Sequence, residues 1–98
     1  NQVDFIIIPT TVRPAKPVAE PEDTVDVNGK QEPTFPTYVK NTSPGSNVGI
    51  AGISLPIGLT KDGLPVGIEI DVLSVNDEKL LSLAVALEAL FGPVPAPF

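Results

Sequence analysis

The sequence predicts an α/β segment of a larger sheet, not a self-sufficient domain. Three observations lead there. Residues 3–11 carry a continuous apolar run rich in β-branched side chains. Residues 52–73 alternate between apolar and small or polar residues in two runs about a turn. Residues 76–91 form a helix that is apolar nearly all round.

Each element has a physical basis. In "VDFIIIPTT", the run Phe5 to Ile8 is stopped by Pro9, the pattern of a strand covered on both faces. A buried helical segment would give the same run, since periodicity alone does not separate the two. Residues 12–47 show no useful period. They hold Pro14, Pro17, Pro21, Pro33, Pro36 and Pro44 among the acidic residues Glu20, Glu22, Asp23, Asp26 and Glu32. This predicts a long, structureless surface excursion, which suits a chain wrapped over a larger body better than a small domain.

The two alternating runs follow. Ile53, Leu55, Ile57 and Leu59 share one face, with Gly52, Ser54, Pro56 and Gly58 on the other. In the second run Val66, Ile68, Ile70 and Val72 oppose Gly67, Glu69 and Asp71. Asp62-Gly63 between them signals a turn, so an antiparallel hairpin with a longer loop is expected. Pro56 cannot donate to a ladder, which requires an edge or a bulge there. The Gly/Ser/Pro face predicts something packed very close to it.

For the helix, Asn76 is the expected N-cap, Asp77 and Glu78 suit its positive end, and Gly92-Pro93 closes it. Only Ser82 and Glu88 interrupt the apolar residues from Leu80 to Phe91. A helix apolar all round is a buried helix. One strand and one hairpin cannot cover every side of it. Burying a Leu stabilises by roughly 1.5–3 kcal/mol, so the chain needs a partner surface. The residues after Gly92 are expected to form an extended tail.

Composition narrows the chemistry. The chain has 98 residues, room for one small domain at most. It has no Cys and no His, so a disulfide framework, a thiolate metal site and the usual general base are all excluded. Any nucleophile would need a Lys or carboxylate as its base. A net charge of −6 argues against a nucleic-acid partner. No apolar run is long enough to span a membrane, and no secretory pattern opens the chain. A cytoplasmic location is therefore expected. The chain has no Met and starts at Asn1, which predicts a piece of a longer protein.

Candidate sites were weighed against simpler roles. Ser54 in "GISLP" lacks the second glycine of a nucleophile elbow and lies in a continuing strand. Gly45, Gly49 and Gly52 match neither phosphate-loop spacing, so they are read as glycines for turns and close packing. Glu69 and Asp71 share a strand face and could bind a metal or act as an acid/base pair. With no His and no third carboxylate placed beside them, a structural role is favoured. Asn41-Thr42-Ser43 is a glycosylation sequon, read as coincidence in a chain without a signal pattern.

The segment from Asp4 to Glu88 resembles the amidase signature family. "VDFIIIPTT" is similar to its aspartate–apolar–Pro-Thr strand. "NTSPGSNVGIAGISLPIGL" followed by "DGLPVGIEID" is similar to its glycine-rich signature, and "NDEKLLSLAVALEALFG" to its closing helix. The wording around Asn41 to Asn47 is closest to the indoleacetamide and mandelamide hydrolase branch. Ala51, Gly52 and Glu69 depart from the usual Pro, Ala and Gln of the family.

The resemblance implies the C-terminal part of an α/β/α sandwich around a mixed sheet. It implies amide hydrolysis by a Ser–Ser–Lys triad, which lies upstream and matches no residue here. Lys40, Lys61 and Lys79 are therefore not candidates for the base. Asn41 and Thr42 are the residues expected to reach the substrate. The implied partners are the triad-bearing N-terminal part of the protein and a small-molecule amide, with no cofactor or metal and with a homo-oligomer left open. Two other functions compete: the glutamine-amidase subunit of a transamidation complex, and a non-catalytic acidic interaction module.

Overall fold

The computed structural model describes residues 2–18, 23–73 and 76–96. Glu20 and Glu22 of the expected acidic excursion, and the last two residues of the expected tail, lie outside them. The elements run β1 (Phe5–Pro9), β2 (Thr24–Val27), β3 (Lys30–Pro33), α1 (Thr34–Tyr38), α2 (Thr42–Val48), β4 (Ala51–Leu59), β5 (Pro65–Val72) and α3 (Asp77–Phe91).

The main sheet has the order β1-β5-β4, with both pairings antiparallel. These three strands are the part that this chain contributes to the sheet expected from the resemblance. The β4–β5 hairpin has the predicted alternation. Its turn is held by Thr60 N–H donating to the Leu64 carbonyl (2.8 Å) and Gly63 N–H to the Thr60 carbonyl (2.9 Å). Gly63 takes a φ of 82°, which favours glycine. The irregularity expected at Pro56 is present as a register shift between Pro56 and Gly58, on an edge strand.

The sheet separates two kinds of surface. Leu55, Ile70 and Val72 form a buried cluster with Leu80 and Ala84 of α3. Phe5, Ala51, Ile53 and Ile68 complete the sheet side, and Leu83 and Leu87 the helix side. Positions 80, 83, 84 and 87 fall on one helical stripe. The cap is as predicted: Asn76 Oδ1 accepts from Lys79 N–H at 3.0 Å. The opposite sheet face carries Gly52, Ser54, Gly67, Glu69 and Asp71, and α2 lies against it, with Gly45 close to Asp71. Helices thus lie on both faces of the sheet, an α/β arrangement.

One expectation is corrected. Residues 12–47 are not structureless, for they contain the β2–β3 hairpin and both short helices. Asn28 (φ 53°) and Gly29 (φ 83°) form a two-residue turn between the strands. Pro36 and Pro44 sit in the first turns of α1 and α2, where a missing N–H breaks no helical bond. Within this chain β1 is left partly open on both faces. Ile6 is 42% exposed and Ile7 45%, because β1 is an edge strand and α3 packs over β4 and β5 instead. Within this chain α3 is buried on one stripe only, leaving Leu81, Val85 and Leu90 exposed, so one strand and one hairpin do not cover its other sides. No helix among the described residues is long and apolar enough to cross a membrane.

Candidate active-site flank at the Glu69–Asp71 face

The polar face of the sheet is built by register. Asp71 pairs across from Gly52 on β4 and Ile6 on β1, and Glu69 from Ser54 and Ile8. The two carboxylates stand two residues apart on β5, so they project to the same side. Both are buried, Glu69 to 8% exposure and Asp71 to 6%.

They are accommodated by the absence of side chains around them. A Cβ on Gly52 would lie 2.5 Å from Asp71 Oδ1, and one on Gly45 would lie 3.0 Å from Oδ2. The Asp71 carboxylate therefore occupies room that only glycine leaves at positions 45 and 52. Gly49 ends α2 with a φ of 72°. The packing reading of these three glycines holds.

Electrostatics at the pair are unfavourable to double ionisation. Burial, the adjacent Asp71 charge and a hydrogen bond with Asp71 all raise the Glu69 pKa above its ordinary 4.5. Glu69 Oε2 is buried and has no hydrogen-bond partner among the described residues.

A cavity of about 350 Å³ opens over this face. Its polar lining is Thr10, Thr42, Ser46, Ser54, Glu69 and Asp71. The Thr10 and Ser54 hydroxyls are hydrogen-bonded to each other at 2.6 Å. Thr42 Oγ1 donates to the Val39 carbonyl and Ser46 Oγ to the Thr42 carbonyl, both at 3.3 Å. A larger opening of about 820 Å³ lies between the 13–16 segment, Tyr38 and the β2–β3 hairpin. Its groups are used to hold that region together. Tyr38 Oη donates to the Pro14 carbonyl at 3.1 Å, and Arg13 Nη1 donates to the Asp26 carbonyl. The smaller cavity is the stronger candidate, because it holds a buried carboxylate with an unsatisfied oxygen.

The structure separates the two residues expected to reach a substrate. Thr42 lines the cavity. Asn41 does not; its Nδ2 donates to the Pro9 carbonyl at 2.7 Å and ties the start of α2 to the end of β1. Lys79 is paired with Asp4 at 3.1 Å, and none of Lys40, Lys61 and Lys79 lines the cavity. Sequence reasoning placed Glu69 and Asp71 on one face but missed Thr10, Ser46 and the enclosing role of α2. The available signal was the Gly/Ser composition facing the two acids.

Comparison with known proteins agrees with this architecture. The family described as Amidase matches residues 1–81. The chain is 44% identical over 92 residues to an indoleacetamide hydrolase of Rhizobium radiobacter, a match covering 94% of the chain and 20% of that protein. It is 40% identical over 100 residues to a mandelamide hydrolase of Pseudomonas putida, covering 99% of the chain and 18% of that protein. A crystal structure of an amidase superposes with a TM-score of 0.82 at 28% identity, over 92% of the chain and 20% of the larger one. The chain thus spans about a fifth of the length of the relatives it matches. The chain belongs to the amidase signature family.

Proposed function

We propose that residues 1–98 are the C-terminal segment of an amidase that hydrolyses a primary amide to a carboxylate and ammonia. The nucleophile, the relay serine and the lysine base lie on the remainder of the protein. An arylacetamide-type substrate is the preferred class. One observation carries this reading: nearly the whole chain aligns at 40–44% identity with relatives named for indoleacetamide and mandelamide, both primary amides bearing an aryl group near the carbonyl. A cytoplasmic location is part of this reading.

Within this segment the proposed contribution is to shape one wall of the substrate pocket. Thr42 faces the cavity directly, and Asn41 holds Thr42 there through its bond to the Pro9 carbonyl. The exposed stripe of α3 and the open edge at β1 supply surfaces for the triad-bearing part.

The test is ammonia release from indoleacetamide, mandelamide and phenylacetamide. The full-length protein should release ammonia from at least one of them, and residues 1–98 alone from none. Activity in the isolated segment, or none in the full-length protein with any of the three, overturns the reading.

A further inference from the structure

We infer that the Glu69–Asp71 pair is a socket for one basic side chain carried by the protein outside residues 1–98. The inference rests on the reading that the chain is part of a larger amidase.

Buried polar atoms are almost always hydrogen-bonded, and a buried carboxylate oxygen left without a partner is costly. Glu69 is more than nine-tenths buried, its Oε2 lacks a partner among the described residues, and it lines the cavity over β5. Asp71 stands beside it on the same face, in room left by the missing Cβ atoms of Gly45 and Gly52. The site is thus built to keep two acids together.

The surrounding groups do not neutralise them. The titratable groups among the described lining residues are Glu69 and Asp71 alone. The hydroxyls of Thr42 and Ser46 are turned to backbone carbonyls, and Thr10 and Ser54 bond each other. None of the six basic residues of the chain lines the cavity. Arg13 is bound to the Asp26 carbonyl, Lys30 pairs with Glu32, and Lys79 pairs with Asp4.

A cation is the occupant whose chemistry fits. A neutral donor would satisfy Oε2 but would leave the charge beside it uncompensated. A guanidinium or ammonium satisfies the oxygen and lets both acids carry charge. The chain is about a fifth of the length of its relatives, so a long stretch of protein outside it is available to cover the cavity.

The experiment is a crystal structure of the full-length protein combined with a carbon-13 NMR titration of the Glu69 carboxyl. A basic side-chain nitrogen within hydrogen-bonding distance of Glu69 or Asp71, with Glu69 titrating below its ordinary 4.5, is the expected result. Water, a neutral amide, an apolar side chain or an exogenous cation in the cavity overturns the inference. So does a Glu69 that still titrates above 4.5 in the full-length protein. The two readings fail separately. An inactive protein with the cation in place removes the amidase reading alone, and an active protein with a water-filled cavity removes the socket alone.

Discussion

Gly52 stands directly across the β4–β5 ladder from Asp71, so close that a methyl group on Gly52 would approach Asp71 Oδ1 to 2.5 Å. Rotating the carboxylate to relieve the contact would move a buried group from its place beside Glu69. Gly52→Ala should therefore destabilise the full-length protein by about 1–3 kcal/mol, the usual range for overpacking a closed site. The check is a double-mutant cycle in urea. Gly52→Ala should be less harmful on an Asp71→Ala background, since the clashing oxygens are gone. Strict additivity would show that the two positions do not meet.

Glu69 gives a pH prediction for the 98-residue segment taken by itself. Its folded pKa is raised, by burial first and then by the Asp71 charge and hydrogen bond. Between the ordinary value of 4.5 and the raised one, the folded chain holds a proton that the unfolded chain has lost. This group's contribution is thus most favourable below 4.5, declines as pH rises through that window, and is flat above it. With a stabilising osmolyte present so that the isolated segment folds, urea midpoints measured across the window should fall for the wild-type chain. Glu69→Gln, which cannot ionise, should flatten the decline. An unchanged slope in the variant would assign the pH dependence to other groups.

The sequence made some of these features legible and hid others for physical reasons. The β4–β5 hairpin was readable because its alternation is strict and Asp62-Gly63 marks the turn. Helix α3 was readable from the Asn76 cap and the Gly92 stop. The β2–β3 hairpin was also written in the sequence, as Asn28-Gly29 between short strands, but dense prolines nearby obscured it. Helices α1 and α2 have five and seven residues, too short to establish a period. The shared face of Glu69 and Asp71 follows from strand geometry. Their burial depends on α2 folding back over the sheet, a tertiary contact that no local pattern encodes.

Helix α3 predicts where the rest of the protein packs. Leu80 and Ala84 are buried, while Leu81 is 58% exposed and Val85 67% exposed on the opposite side. If the remainder of the amidase covers that side, Val85→Asp places a charge in an apolar interface. The full-length protein should then lose about 2 kcal/mol or more of stability, with a clear drop in Tm. In the isolated segment the same change should be neutral or improve solubility, because Val85 there faces water. An unchanged Tm in the full-length protein would show that this side of α3 stays exposed.

Thr42, Asn41 and Lys79 test the proposed division between substrate contact and scaffold. Thr42 faces the cavity, Asn41 ties its helix to the Pro9 carbonyl, and Lys79 is occupied with Asp4 at the surface. In the full-length amidase, Thr42→Ala should lower kcat/KM by up to about tenfold with little loss of stability, the scale of one hydrogen bond. Asn41→Ala should destabilise by about 1 kcal/mol and raise KM, since the loop that carries Thr42 is freed. Lys79→Ala should leave both parameters unchanged, because an exposed ion pair contributes little and the proposed base lies on another segment. Steady-state kinetics and thermal melts on the three variants check this pattern. Loss of activity in Lys79→Ala at unchanged stability would overturn the assignment of the base to the rest of the protein.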